Sequence, residues 1–71
     1  SSRSDEAIAV LENAAAVDPR HAHARRMLGR ALATAGRLDE AVVHLHQAVE
    51  LAPGDSGTRQ DLAEVRARAS R

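Results

Sequence analysis

The chain contains no cysteine, no lysine and no aromatic residue, and only two prolines interrupt its 71 residues. Each absence removes a class of function. Without cysteine there are no disulfides to staple a small fold and no thiolate metal sites, which is compatible with a reducing compartment. Without phenylalanine, tyrosine or tryptophan there are no stacking platforms of the kind that hold single-stranded nucleic acid. No apolar run approaches the roughly 20 residues of a membrane-spanning helix, and the first five residues do not resemble a secretory leader. Neither a membrane nor a nucleic acid is therefore an expected partner, and a cytoplasmic location is the expected one. All ten basic residues are arginine, which fits a coding bias or a need for planar, bidentate donors. Ten acidic residues balance them, for a formal net charge of zero.

What the sequence has is a period. Pairing each residue with the one 34 positions later matches Arg3 with Arg37, Asp5 with Asp39, Glu6 with Glu40, Ala7 with Ala41 and Leu11 with Leu45. The match continues through Ala14 with Ala48, Pro19 with Pro53, Arg25 with Arg59 and Leu28 with Leu62, without a gap. A fixed period of this length marks a stacked repeat, in which one supersecondary hairpin buries its apolar face only against a neighbour. Two periods give a small core, worth roughly 3 to 5 kcal/mol. The chain thus reads as a piece of something longer that begins inside a repeat, Ser2 standing where Gly36 stands one period later.

Helix punctuation follows the period and gives an all-α fold of four helices. Helix one, 5–17, is expected to be capped by Ser4, to carry Asp5 and Glu6 in its opening turn, and to end at Asp18-Pro19. Ile8 and Leu11 on this helix are expected to be partly exposed. Helix two, 22–35, places Ala24, Met27, Leu28, Ala31, Leu32 and Ala35 on one face, with Gly36 suited to a left-handed stop. Helix three, 38–51, repeats the first with Ala41, Val42, Leu45, Ala48 and Val49, and Pro53-Gly54 closes it. Helix four, 56–70, follows the capping candidate Ser56. Its apolar stripe is thin, Leu62, Ala63, Val65 and Ala69 facing Arg59, Arg66, Arg68 and Arg71, as in a solvating cap.

The central period resembles the tetratricopeptide repeat, whose pattern runs Trp-x2-Leu-Gly-x2-Tyr, Ala-x3-Phe, then Ala and Pro. Here it stands as Arg25-x2-Leu28-Gly29-x2-Leu32, Ala41-x3-Leu45, Ala48 and Pro53. Gly29, Ala41 and Ala48 permit close approach of two antiparallel helices, and Pro53 forces the chain out of helix three. Every aromatic position is replaced, by Arg25, Leu32 and Leu45. The resemblance implies a single domain over 1–71: the second helix of a truncated repeat at 5–17, one full repeat at 22–55, and at 56–70 the first helix of a further repeat or a capping helix.

The zero net charge conceals a segregation. Residues 19–37 hold Arg20, Arg25, Arg26, Arg30 and Arg37 and no acid, whereas 38–55 hold Asp39, Glu40, Glu50 and Asp55 and no arginine. The resemblance implies that helices two and four line a concave groove for a protein or peptide partner. It puts His23, Arg26, Arg30, Thr34, Gln60, Glu64 and Arg68 at positions that touch ligand. Arginines there favour an acidic segment or a terminal carboxylate, held by forked, charge-assisted hydrogen bonds. The bland alternative is a solvated face whose arginines pair with neighbouring acids. The family's clamp for chaperone C-termini uses Lys and then Asn one turn later; Arg26 and Arg30 stand there instead, so that specificity is not carried over. A structural role is the other reading, with helix one or helix four covered by neighbouring repeats or by a second copy in a homodimer.

The pairs His21-x-His23 and His44-x-His46 lack the four-residue spacing of helical zinc motifs, and no metal or other cofactor is expected. There is no phosphate loop, nucleophile elbow or HExxH, and the Asp5-Glu6 and Asp39-Glu40 pairs are accounted for by the helix dipole. Enzymatic activity is not expected.

Overall fold

The computed structural model describes residues 2–71, the side chain of Ser2 excepted; Ser2 is helical where Gly36, one period later, takes φ +80, so the two are equivalent in sequence position and not in backbone. Four helices follow one another: α1 (Ser2–Val17), α2 (Ala22–Thr34), α3 (Leu38–Leu51) and α4 (Ser56–Ala69), with no strand among the described residues. The central element is α2, which packs against each of the other three, while α3 also packs on α4 and α1 rests on α2 alone. The result is a slab about 15 Å thick and 31 by 30 Å across.

Local chemistry sets the helix ends. After α1, Pro19 has no N–H to continue the ladder, and Asp18 closes the turn by accepting from the backbone N–H of Arg20 at 3.2 Å and of His21 at 3.0 Å. His21 then caps α2, its Nδ1 accepting from the N–H of Ala24 at 3.0 Å, which requires the proton on Nε2. At the other end of α2, Gly36 takes φ +80 and the Arg37 N–H reaches back to Leu32 O at 2.9 Å, a Schellman closure. Asp39 and Glu40 sit in the first turn of α3, and Arg37 forks onto Glu40 with Nε–Oε1 2.9 Å and Nη2–Oε2 2.7 Å. That fork holds the Glu40 carboxyl below its ordinary range.

Four expectations are corrected. Helix α1 begins at Ser2 rather than residue 5, so Ser4 lies within the helix and does not cap it; nothing between Ser2 and Asp5 stops helical backbone. Helix α2 ends at Thr34, with Ala35 as its C-cap and solvent-exposed. The cap of α4 is Asp55, which accepts from Gly57 N at 3.0 Å and Thr58 N at 3.3 Å; Ser56 is the first helical residue. Ile8 is buried, because α2 covers that side of α1; the exposed apolar face of α1 is instead marked by Val10 and Val17.

The core runs through the middle of the slab. Ile8 and Ala15 of α1, Leu28, Leu32 and Ala33 of α2, Ala41 and Leu45 of α3, and Leu62 and Val65 of α4 form one buried cluster. Leu28, Leu32 and Leu45 are the largest fully buried side chains, each worth about 1.5 to 3 kcal/mol.

Candidate functional site

Helices α2 and α4 lie side by side, offset by about one period. Arg26 Nε donates to Asp61 Oδ2 at 2.7 Å and Arg68 Nη2 donates to the Ala33 carbonyl at 3.4 Å, each pair separated by 35 residues. A residue on α2 thus faces the one a period and a position further on. Alongside these two bonds the helices form the walls of an open groove of about 510 Å3. Arg30 and Thr34 of α2, Glu64 and Arg68 of α4, and Arg71 beyond it supply its polar wall, with Asp61 at one end and Ala33, Val65 and Ala67 between.

Of the seven positions singled out in the sequence, Arg30, Thr34, Glu64 and Arg68 line this groove. Arg26 does not: it sits at the seam between α2 and α4, committed to Asp61 at 2.7 Å and, more distantly, to Asp55 at 3.8 Å. The hydrogen bond it donates to Asp61 raises the guanidinium pKa further, aided by the charges of both carboxylates. Gly57 gives the guanidinium room, since a Cβ there would stand 2.9 Å from Arg26 Nη2. His23 and Gln60 are exposed outside the groove, and the ring of His23 lies 6.4 Å from that of His21. Asp61 and Arg71 were not singled out in the sequence. Adding a period and one position to Arg26 leads to Asp61, and Arg71 stands one period after Arg37.

Three arginines without an ion pair meet at the groove. None of the ion pairs among the described residues uses Arg30, Arg68 or Arg71, whereas Arg26 and Arg37 are each engaged by an acid. The Thr34 hydroxyl donates to the Arg30 carbonyl at 3.0 Å, which leaves its lone pairs as acceptors.

Elsewhere on the surface, arginines clasp the turns that precede α2 and α4. Arg25, standing at an aromatic position of the repeat pattern, donates through Nε to the Pro19 carbonyl at 3.4 Å and lies 3.2 Å by Nη1 from His44 Nδ1. One period on, Arg59 Nη1 donates to the Pro53 carbonyl, so the same clasp recurs. Burial, together with the Arg25 charge, pushes the His44 imidazole below its ordinary value of 6.5. The other histidines have separate surroundings: His21 caps α2 and His46 faces Glu50 at 3.4 Å. Among the described residues no three histidine, aspartate or glutamate side chains converge as metal ligands would.

The packing of Leu28, Gly29, Leu32, Ala41, Leu45 and Ala48, all buried, with Pro53 in the turn after α3, reproduces the hairpin that the pattern calls for. A family model described as Tetratricopeptide repeat matches residues 1–56. The chain belongs to the tetratricopeptide repeat family. Tetratricopeptide repeats serve as scaffolds for protein–protein interaction and are generally non-catalytic. The match takes in α1, α2 and α3 and stops at Ser56, so the α4 wall of the groove lies beyond it. No curated protein matches the chain. No helix among the described residues is long and apolar enough to cross a membrane.

Proposed function

We propose that this tetratricopeptide repeat chain is a protein-interaction module that receives an acidic segment, or a terminal carboxylate, of a partner protein in the groove between α2 and α4. The observation that carries the reading is the division of labour among its arginines. Arg26 neutralises Asp61 and locks the two helices, while Arg30, Arg68 and Arg71 line an open groove with no ion pair of their own. A carboxylate entering there gains forked, charge-assisted hydrogen bonds without first breaking an internal ion pair. Glu64 on the same wall disfavours a run of consecutive acids close to α4 and selects for spaced ones. His23 and Gln60, exposed on the same two helices, serve as outer contacts for a longer peptide. Nucleic acid is not the proposed partner: with zero net charge and no aromatics, the chain offers neither the phosphate field nor the stacking surfaces.

Titration of isotope-labelled protein with a peptide carrying spaced aspartates and a free C-terminus tests the reading. Amide shifts centred on Arg30, Thr34, Glu64 and Arg68, and weakened by salt, are the expected result. Shifts confined to α1 and α3 would remove the groove from consideration.

A further inference from the structure

Independently of the groove, we infer that α1 is a self-recognition surface that pairs antiparallel with α1 of a second copy. On the face of α1 turned away from α2, Ala7, Val10, Ala14 and Val17 follow one another at spacings of three and four, and all four are exposed. Val10 and Val17 are the most exposed large apolar residues described, at 68% and 79%. Such spacing is the seam of a two-helix pair.

The order of small and large residues fixes the direction. Run antiparallel about a two-fold axis near Glu12, the seam pairs Ala7 with Val17 and Val10 with Ala14 of the second copy, then the same two layers in reverse. Each layer holds one small and one branched side chain, so the surface complements itself, as a closed two-fold contact requires. Charges agree. The N-terminal end of α1 carries Asp5 and Glu6 and its C-terminal end is followed by Arg20, so the antiparallel arrangement sets Arg20 beside the second copy's Glu6 and Arg3 toward its Asp18. A parallel pair would set Asp5 and Glu6 against themselves.

The competing cover is a head-to-tail stack, in which α4 of another copy lies on α1 and recreates the α2–α3 hairpin one period out of place. Two residues of α4 oppose it. The counterpart of Gly29 is Ala63, and a Cβ at the Gly29 position comes within 2.5 Å of Leu45 Cγ, whose counterpart on α1 is Leu11. The counterpart of the fully buried Leu32 is Arg66, whose guanidinium would enter the interface without a partner. Open-ended growth is thereby disfavoured and the closed dimer remains.

One helix pair is small beside a standard interface, so association is weak and is read at high concentration. Sedimentation equilibrium of the whole chain from about 10 µM to about 1 mM is expected to rise toward twice the monomer mass and stop there. Val10→Asp, at an exposed site, is expected to abolish the rise while leaving the helical circular dichroism unchanged. Because the chain has no cysteine, single substitutions report the register. Asn13→Cys, beside the two-fold axis, is expected to form a covalent dimer on mild oxidation. Glu6→Cys is not, since its copies would stand about 18 Å apart along the helices, beyond disulfide reach. A monomer at every concentration, as when some other segment covers α1, overturns the inference. So does mass growing past the dimer, or Glu6→Cys cross-linking as readily as Asn13→Cys.

Discussion

Leu45 of α3 occupies the space that a side chain at Gly29 of α2 would need, a Cβ there standing 2.5 Å from Leu45 Cγ and 3.3 Å from the Ala41 carbonyl oxygen. Leu45 is fully buried and has nowhere to move, so the glycine fixes how closely the two helices approach. Gly29→Ala gains up to about 1 kcal/mol of helix propensity but overpacks a site where one added carbon costs about 1 to 3 kcal/mol. A net loss of about 1 to 2 kcal/mol is expected in urea denaturation. In a Leu45→Ala background the same change is expected to cost much less, since the Leu45 atoms at 2.5 and 2.8 Å are gone and only the Ala41 carbonyl oxygen stays close. Gly54→Ala, where a Cβ meets nothing within 4 Å, is the control and should leave stability unchanged or slightly higher.

Asp61 holds Arg26 out of the groove. Asp61→Ala removes the seam between α2 and α4, so the melting temperature is expected to fall, and it frees a fourth arginine to bind. Affinity for an acidic peptide is therefore expected to rise several-fold while stability falls. Calorimetric titration paired with thermal melts checks this, and parallel losses in both would contradict it. Exchanging the charges, Arg26→Asp with Asp61→Arg, is expected to restore part of the stability lost in either single variant.

Stability should decline in two steps on acidification. His44 is held below its ordinary 6.5 by burial and by Arg25 of α2, against the opposing pull of Glu12 of α1 and Glu40 of α3. The folded state thus binds this proton less readily than the unfolded chain. The sign follows: the contribution is complete above 6.5 and is lost as the pH falls through the lowered folded value. Glu40, hydrogen-bonded by Arg37, and Asp55, bonded by the Thr58 hydroxyl and backbone N–H, are also depressed, from 4.5 and 3.8, so their contributions are lost at more acidic pH. Melting temperatures measured across this range in His44→Gln should lack the first step and keep the second.

Much of the fold was legible because the period repeats its punctuation. Pro19 and Pro53, Gly36 and the Leu28–Gly29 pair each act through their own backbone or through a neighbour one hairpin away, and each lies where its sequence context placed it. The misreadings at Ser4 and Ser56 share a cause: capping is competitive, and serine beside an aspartate or inside a permissive stretch loses to the better-placed acceptor. Asp55, not Ser56, has both Gly57 and Thr58 within reach. The site was legible only in part, because helical position tells which face a residue takes but not which partner has already claimed it. Arg26 and Arg30 are alike in sequence and one turn apart; Asp61, 35 residues from Arg26, makes them different.

The most direct test of the central claim is reversal of the groove's charge. Arg30→Glu with Arg68→Glu changes two exposed side chains that line the groove and hold no ion pair, so the fold should survive by circular dichroism. Fluorescence anisotropy with matched peptides, one bearing spaced aspartates and one bearing spaced lysines at the same positions, reads the outcome. The account expects the original chain to favour the acidic peptide and the double variant to lose that preference by at least about tenfold, turning toward the basic one. An unchanged preference for the acidic peptide in the double variant would contradict it.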